Sequence, residues 1–186
     1  MRRAFSPRAG RFWSRPDTAG TIVNRNGLDI AELIRLKDQG RSVCDSAAGE
    51  KLGRDALIDI ECDIWIPAAR PDVVREDNVQ RLNARLVLQG ANIPFTAAAE
   101  RTLAQKGVLV VPDFIANAGG VICAAMEWHG ATQAAAFEAI AERIRANTAS
   151  VLEAAAARRV LPRQAAVDLA RERVRAAMAT RRGSIF

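Results

Sequence analysis

Residues 110–130 read VVPDFIANAGGVICAAMEWHG, and this run constrains the fold more than any other part of the chain. Val108, Leu109, Val110 and Val111 form a short apolar run, β-branched at three of four positions, of the kind that makes a buried strand. Pro112 and Asp113 stop it. Asn117, Gly119 and Gly120 then read as a tight, permissive loop, with a helix opening at about Val121. A strand that feeds a helix through a short loop is where open α/β sheets hold ligands. Paired glycines let a backbone approach a flat ligand closely. The Asn117 side chain offers both a donor and an acceptor, which suits a carboxamide.

The rest of the chain supports a sheet of this type. From about Gly20, strand-like and helix-like segments alternate. Thr21–Val23 is a brief β-branched run, and Asp29 with Glu32 gives a D-x-x-E capping pattern for a helix ending at Gly40. Ser42 to Gly53 is loop-like. Cys62–Ile66 is an apolar strand closed by Pro67, Glu76–Leu82 a short helix, and Leu86–Leu88 a buried strand. Thr96 caps a helix that stops at Gly107. Three more helices follow: Val121–Trp128; Ala134–Arg158, with Phe137, Ile140, Ile144 and Val151 on one stripe; and a last one opening at Pro162 that buries Ala166, Leu169 and Val174. This alternation predicts an α/β fold, Rossmann-like, with a mostly parallel sheet, helices on both faces and helices at the C-terminal end. Residues 1–19 are expected to be an irregular basic segment, 20–180 the α/β domain, and 181–186 a tail.

Composition excludes several function classes. No apolar run is long enough to span a bilayer. Cys44, Cys62 and Cys123 are odd in number and lack C-x-x-C spacing, so they read as buried thiols of a reducing, cytoplasmic compartment. His129 is the only histidine, and neither G-x-S-x-G nor H-E-x-x-H occurs, which removes nucleophile-elbow and zinc-protease chemistry. The net charge of +6 resides at the ends. Residues 1–16 carry Arg2, Arg3, Arg8, Arg11 and Arg15 and no acid, and residues 171–186 carry five arginines against Glu172 alone. The body between them is net acidic, so a basic folded face of the kind that binds nucleic acid is not expected, although such ends can hold phosphate weakly.

Three strand ends carry the functional signal: Ile66–Ala69 (IPAA), Gly90–Asn92 (GAN) and Ala116–Gly120 (ANAGG). Each sets small residues or an asparagine amide just past a strand. Small residues keep a pocket floor low enough for a flat ring, and amides hold hydroxyls or a carboxamide without adding charge. Any one of them alone is matched as well by an ordinary turn; GAN, for instance, suits a turn with Asn92 left-handed.

The blocks GTIVNRNGLDIAEL, ECDIWIPAA, LVLQGANIPFT and VLVVPDFIANAGGVI resemble consecutive parts of the cofactor-binding domain of the glutamate/leucine/phenylalanine/valine dehydrogenases, over about Gly20 to Arg175. The resemblance implies oxidative deamination of an L-amino acid to a 2-oxo acid and ammonia, with hydride passed to NAD or NADP. It implies that Ala68 and Ala69 border the nicotinamide ribose, and that Asn92, on the Gly90–Ala91–Asn92 turn, bonds the ribose or carboxamide. Asn117 then contacts the nicotinamide side and the amino-acid substrate. At Ala124, glutamate-specific members place a serine hydroxyl that holds the substrate's side-chain carboxylate, and leucine-type members an apolar residue; alanine leans toward a non-glutamate or relaxed specificity.

Two of the family's parts are missing from the pattern. No G-x-G-x-x-G turn occurs, and no apolar strand is expected ahead of Asp17, which falls near the acidic position that reads the adenosine ribose. The N-terminal catalytic domain, with its lysines and aspartate, has no counterpart; Lys37, Lys51 and Lys106 read as surface charges. The expectation is a truncated, N-terminally altered cofactor-binding part that is inactive alone and leaves a strand edge unpaired. Two alternatives accompany it: a non-catalytic dinucleotide-binding or subunit-assembly module, and a weak nucleic-acid binder acting through the Arg-rich ends. Trp65 reads as core, Trp128 with Met126 and Val121 as a packing face, and His129 as a helix-end residue.

Overall fold

The structure, a computed structural model, describes residues 14–180. The chain divides into two compact units: one runs to Glu61 and includes Arg81–Asn83, and the other holds Cys62–Gln80 and the chain from Ala84.

In the first unit β1 (Ser14–Pro16), β2 (Thr21–Val23) and β3 (Glu50–Leu52) form an antiparallel sheet in the order β1-β2-β3. This corrects the expectation of parallel pairing for this stretch. Only Asp17–Gly20 joins β1 to β2, far too short for the crossover that parallel strands need. Strand β1 lies where an irregular segment is expected, and β3 within the expected loop 42–53. That loop also contains a 3-10 turn, Val43–Asp45, whose Asp45 carboxylate accepts the Ser42 N–H at 3.3 Å. Gly49 is obligatory at its position, because a Cβ there would lie 2.5 Å from the Val23 carbonyl oxygen. Helix α1 (Ile30–Asp38) starts on Asp29, whose side chain accepts the N–H groups of Ala31 and Glu32. Glu32 does not complete the box; its carboxylate instead accepts the Ser46 hydroxyl at 2.8 Å. Ile22, Leu28, Leu33, Leu36 and Val43 make the core of this unit.

The second unit carries the parallel sheet, β4 (Cys62–Trp65), β5 (Ala84–Leu88) and β6 (Leu109–Val111), in the order β4-β5-β6. Register puts Trp65, Val87 and Val110 side by side, and all three are buried. The opposite side presents Leu88 and Val111, which pack with Val151 and Ala155 of α5 (Gln133–Arg158) and Ala165 and Ala166 of α6 (Pro162–Thr180). The fold is therefore α/β with both sheet faces used, as the strand–helix alternation implies. Toward the amino ends of the strands, Ile64 and Leu109 share the α5–α6 side and are exposed. Among the described residues β4 pairs with β5 alone, so its other edge takes no strand.

Three helical expectations change. Residues 76–82 form a 3-10 turn at Val79–Arg81 in place of an α-helix. The Asn78 amide accepts the Arg75 N–H and donates to the Val73 carbonyl, and such side-chain bonds compete with the helical ladder. The supposed glycine loop is almost wholly helical: α3 (Asp113–Ala116) ends on Asn117, and α4 (Gly119–Trp128) includes both glycines, neither with positive φ. On α4, Ile122 is buried while Val121, Ala124, Ala125 and Trp128, at helical spacing, form an exposed stripe; Trp128 is 87% exposed. The expected packing of Val121 and Trp128 is thus corrected, as is that of Val174 on α6, which is exposed. Helix α2 (Ala97–Gln105) is capped by Thr96, and His129 closes α4, both as expected. No helix among the described residues is long and apolar enough to cross a membrane, and no metal-binding cluster occurs among them. All three cysteines are half-buried, a correction to their reading as buried thiols.

Candidate functional site at the sheet's carboxyl edge

The carboxyl ends of β4, β5 and β6 bring the candidate residues of the second unit together. The Ala91 N–H donates to the Pro67 carbonyl at 2.7 Å, which ties the turn after β5 to the turn after β4. Gly90 sits against that neighbour so closely that a Cβ would meet the Ala68 Cβ and the Pro67 oxygen at 3.3 Å. Ala68, Ala69 and Gly90 are exposed and carry almost no side chain, while Ala91 is buried beneath them. The result is a low floor.

Two amides stand beside it. Asn117, half-buried at the end of α3, donates from Nδ2 to the Asn92 Oδ1 at 2.7 Å. This pairing leaves the Asn92 Nδ2 hydrogens and the Asn117 Oδ1 without a partner among the described residues. A donor and an acceptor thereby remain at this edge, the two group types that a carboxamide pairs with. Ala124 lies one helix further on, exposed on α4. The left-handed residue of the GAN turn is not Asn92 but the next one, Ile93, with φ +47°.

Beneath this edge lies a polar knot that no local sequence pattern announces. Gln89, Glu100 and Asp113 are buried, and Arg163 reaches them from the first turn of α6. Arg163 Nε donates to Glu100 Oε2 at 2.7 Å, and its Nη2 to Glu100 Oε1, Gln89 Oε1 and Asp113 Oδ1 at 2.8–2.9 Å. Gln89 Nε2 donates to Glu100 Oε1 at 2.7 Å, and Gln89 Oε1 accepts the Asp113 N–H at 3.1 Å. The other Asp113 oxygen accepts the Ile93 N–H at 2.8 Å. The guanidinium also lies over the Phe114 ring, 5.5 Å from its centroid. Burial alone would raise the Asp113 carboxyl, but the Ile93 N–H, Arg163 and the Phe114 N–H outweigh it and hold the group below its ordinary value. Arg163 moves the other way: burial opposes its charge, and Glu100 and Asp113 more than restore it.

In the first unit, Asp17 does follow a strand. Its carboxylate, however, is fully engaged: it accepts the N–H groups of Ala19 and Val43 at 2.9 Å, and the Ser42 hydroxyl and Lys37 Nζ at 3.1 Å. Of the other lysines, Lys106 donates to the Gln80 carbonyl and Lys51 lies in β3. The basic end segments 1–13 and 181–186, on which the nucleic-acid alternative rests, lie outside the described residues.

Comparison with known proteins gives concordant results. A family model described as Glutamate/Leucine/Phenylalanine/Valine dehydrogenase matches residues 4–182. The chain is 40% identical over 112 residues to the glutamate dehydrogenase of Thermotoga maritima, a match covering 60% of this chain and 27% of that protein. It is 45% identical over 118 residues to the NADP(+)-dependent glutamate dehydrogenase of Pyrobaculum calidifontis, covering 60% of this chain and 28% of that one. The chain thus spans little more than a quarter of the length of these relatives. Among solved structures, the hetero-hexameric glutamate dehydrogenase from Thermus thermophilus (Leu-bound form) superposes with a TM-score of 0.78 at 23% identity, over 95% of this chain and 42% of that one, a likeness of fold.

Proposed function

Because the chain belongs to the glutamate/leucine/phenylalanine/valine dehydrogenases, we propose that residues 20–180 provide the nicotinamide side of an NAD- or NADP-dependent amino-acid dehydrogenase. The reaction is oxidative deamination of an L-amino acid to a 2-oxo acid and ammonia. The observation that carries this reading is the paired amide of Asn92 and Asn117 beside a floor of alanine and glycine. Asn92 Nδ2 would donate to the carboxamide oxygen and Asn117 Oδ1 would accept from its NH2, while Ala68, Ala69, Gly90 and Ala91 leave room for the ring and ribose. The dinucleotide, when bound, supplies the hydride acceptor.

The proposed role stops at binding. Lys106, the one lysine of the second unit, lies before β6 at its amino end, away from the candidate edge, and Lys37 and Lys51 belong to the first unit, so the chain by itself is proposed to bind cofactor without turnover. Ala124 presents a methyl group where a side-chain carboxylate would need a hydroxyl, which supports an apolar or relaxed amino-acid preference. A second reading, subunit assembly, is favoured by the exposed α4 stripe that ends in Trp128.

Thermal unfolding with and without millimolar NADH or NADPH tests the binding reading. A cofactor present at about ten times its Kd adds roughly 1.4 kcal/mol, a rise of about 3–5 °C for a chain of this size. An unchanged midpoint with both cofactors would overturn it.

A further inference from the structure

The geometry points to Arg163 as a positioning residue for the nicotinamide-side turn: acting through Asp113, it holds Ile93 left-handed and thereby sets the Asn92 amide against Asn117. Its functional consequence rests on the dinucleotide reading above; the structural part stands apart from it.

The turn needs holding. Ile93 has φ +47°, a conformation that a β-branched residue adopts at a steric cost. It also precedes Pro94, which disfavours any conformation but the extended one for the residue before it. Its side chain is 62% exposed, so burial of the side chain gives little compensation. What holds Ile93 is its backbone. The N–H donates to Asp113 Oδ2, and the carbonyl accepts the Asp72 N–H at 3.0 Å. Asn92 is the next residue back along the chain, so its amide direction follows from this backbone.

Asp113 can serve as the anchor only if its own position is fixed. Two contacts do that: Arg163 Nη2 on Oδ1, and Gln89 Oε1 on its N–H. Arg163 touches both partners, and Glu100 braces the guanidinium from the far side. Nη2 alone meets acceptors on three segments, and the second bond of the planar fork, Nε to Glu100 Oε2, fixes its direction; a lysine ammonium at the end of a flexible stem has no such second anchor. The arginine lies fifty residues beyond Asp113, so the conformation of the candidate site depends on the docking of α6.

The test uses the full chain, 15N-labelled, as wild type, R163K, I93G and the double variant, with two readouts: exchange protection of amide 93 and NADH affinity. In R163K, exchange at Ile93 rises by at least about tenfold relative to the β5 amide of Val87, and the NADH Kd weakens about tenfold. Glycine is at ease at positive φ, so I93G added to R163K recovers most of the NADH affinity, and the double variant loses less than the two single losses together. Unchanged protection at Ile93 in folded R163K overturns the proposal. If R163K fails to fold, recovery of folding by I93G supports it, and failure of the double variant to fold overturns it. Wild type that does not bind NADH sinks the dinucleotide reading, while the exchange data still decide what Arg163 does.

Discussion

Asp113→Ala lowers the stability of the protein by about 3 kcal/mol, measured by chemical denaturation at pH 7. The side chain is 9% exposed and holds a guanidinium nitrogen on one oxygen and a strained backbone N–H on the other. Deleting one partner of a buried ion pair costs about 3–5 kcal/mol because a charge is left without compensation. Arg163 retains Glu100, which places the loss at the lower end. Asp113→Asn keeps an acceptor for the Ile93 N–H but removes the charge and turns an NH2 donor toward Arg163 Nη2, so a loss of about 1–3 kcal/mol is expected. The pH dependence has a definite sign. The folded carboxyl titrates below its ordinary 3.8, so its contribution is present in full above that value and is lost as pH falls through the lower folded value. Asp113→Asn therefore flattens the acid limb of the stability profile. An acid limb identical to that of wild type would contradict the assignment.

Asp17→Ala has an effect of similar size on the first unit, about 2–4 kcal/mol, since four donors lose one charged acceptor. The carboxylate closes the β1–β2 turn through Ala19 and ties it to the 3-10 turn at Val43 and to α1 through Lys37. Partial burial works to raise its pKa, yet the Val43 and Ala19 N–H groups, Lys37 and Ser42 hold it far below the usual carboxylate range. Stability from this group is again complete above the ordinary carboxylate value and declines only in strong acid. Asp17→Asn, with the shape kept, should shift the acid midpoint toward neutrality and leave NADH binding at the second unit unaltered. Loss of NADH binding in a folded Asp17→Asn chain would show that the carboxylate contributes to the cofactor site as well.

Much of the second unit is legible from residue type alone. Apolar runs mark β4, β5 and β6, Thr96 starts α2, and the small residues and amides at the three strand ends are adjacent in space as their positions past the strands imply. The first unit is less so, because strands of three residues such as Glu50–Leu52 carry too little period to stand out from a loop. The glycines at 119 and 120 suggest flexibility, but the helical hydrogen bond from Ile122 N–H to the Ala118 carbonyl runs straight past them. Trp128 and Val121 suggest packing because they are large and apolar, and helical spacing alone does not say which of two apolar stripes a helix buries. Least legible is the knot of Gln89, Glu100, Asp113 and Arg163. Its members are far apart in sequence and each taken singly reads as a solvated polar residue; only tertiary packing makes them one unit.

The central claim is that the carboxyl edge of β4, β5 and β6 takes the nicotinamide end of a dinucleotide. Titration of NADH into the 15N-labelled chain, followed amide by amide, tests it most directly. The account predicts saturable shifts centred on Ala68, Ala69, Gly90, Ala91, Asn92 and Asn117, including the two asparagine side-chain NH2 groups. Shifts centred instead on the arginines of α6 between Arg171 and Arg175, or none at all at millimolar NADH, would contradict it.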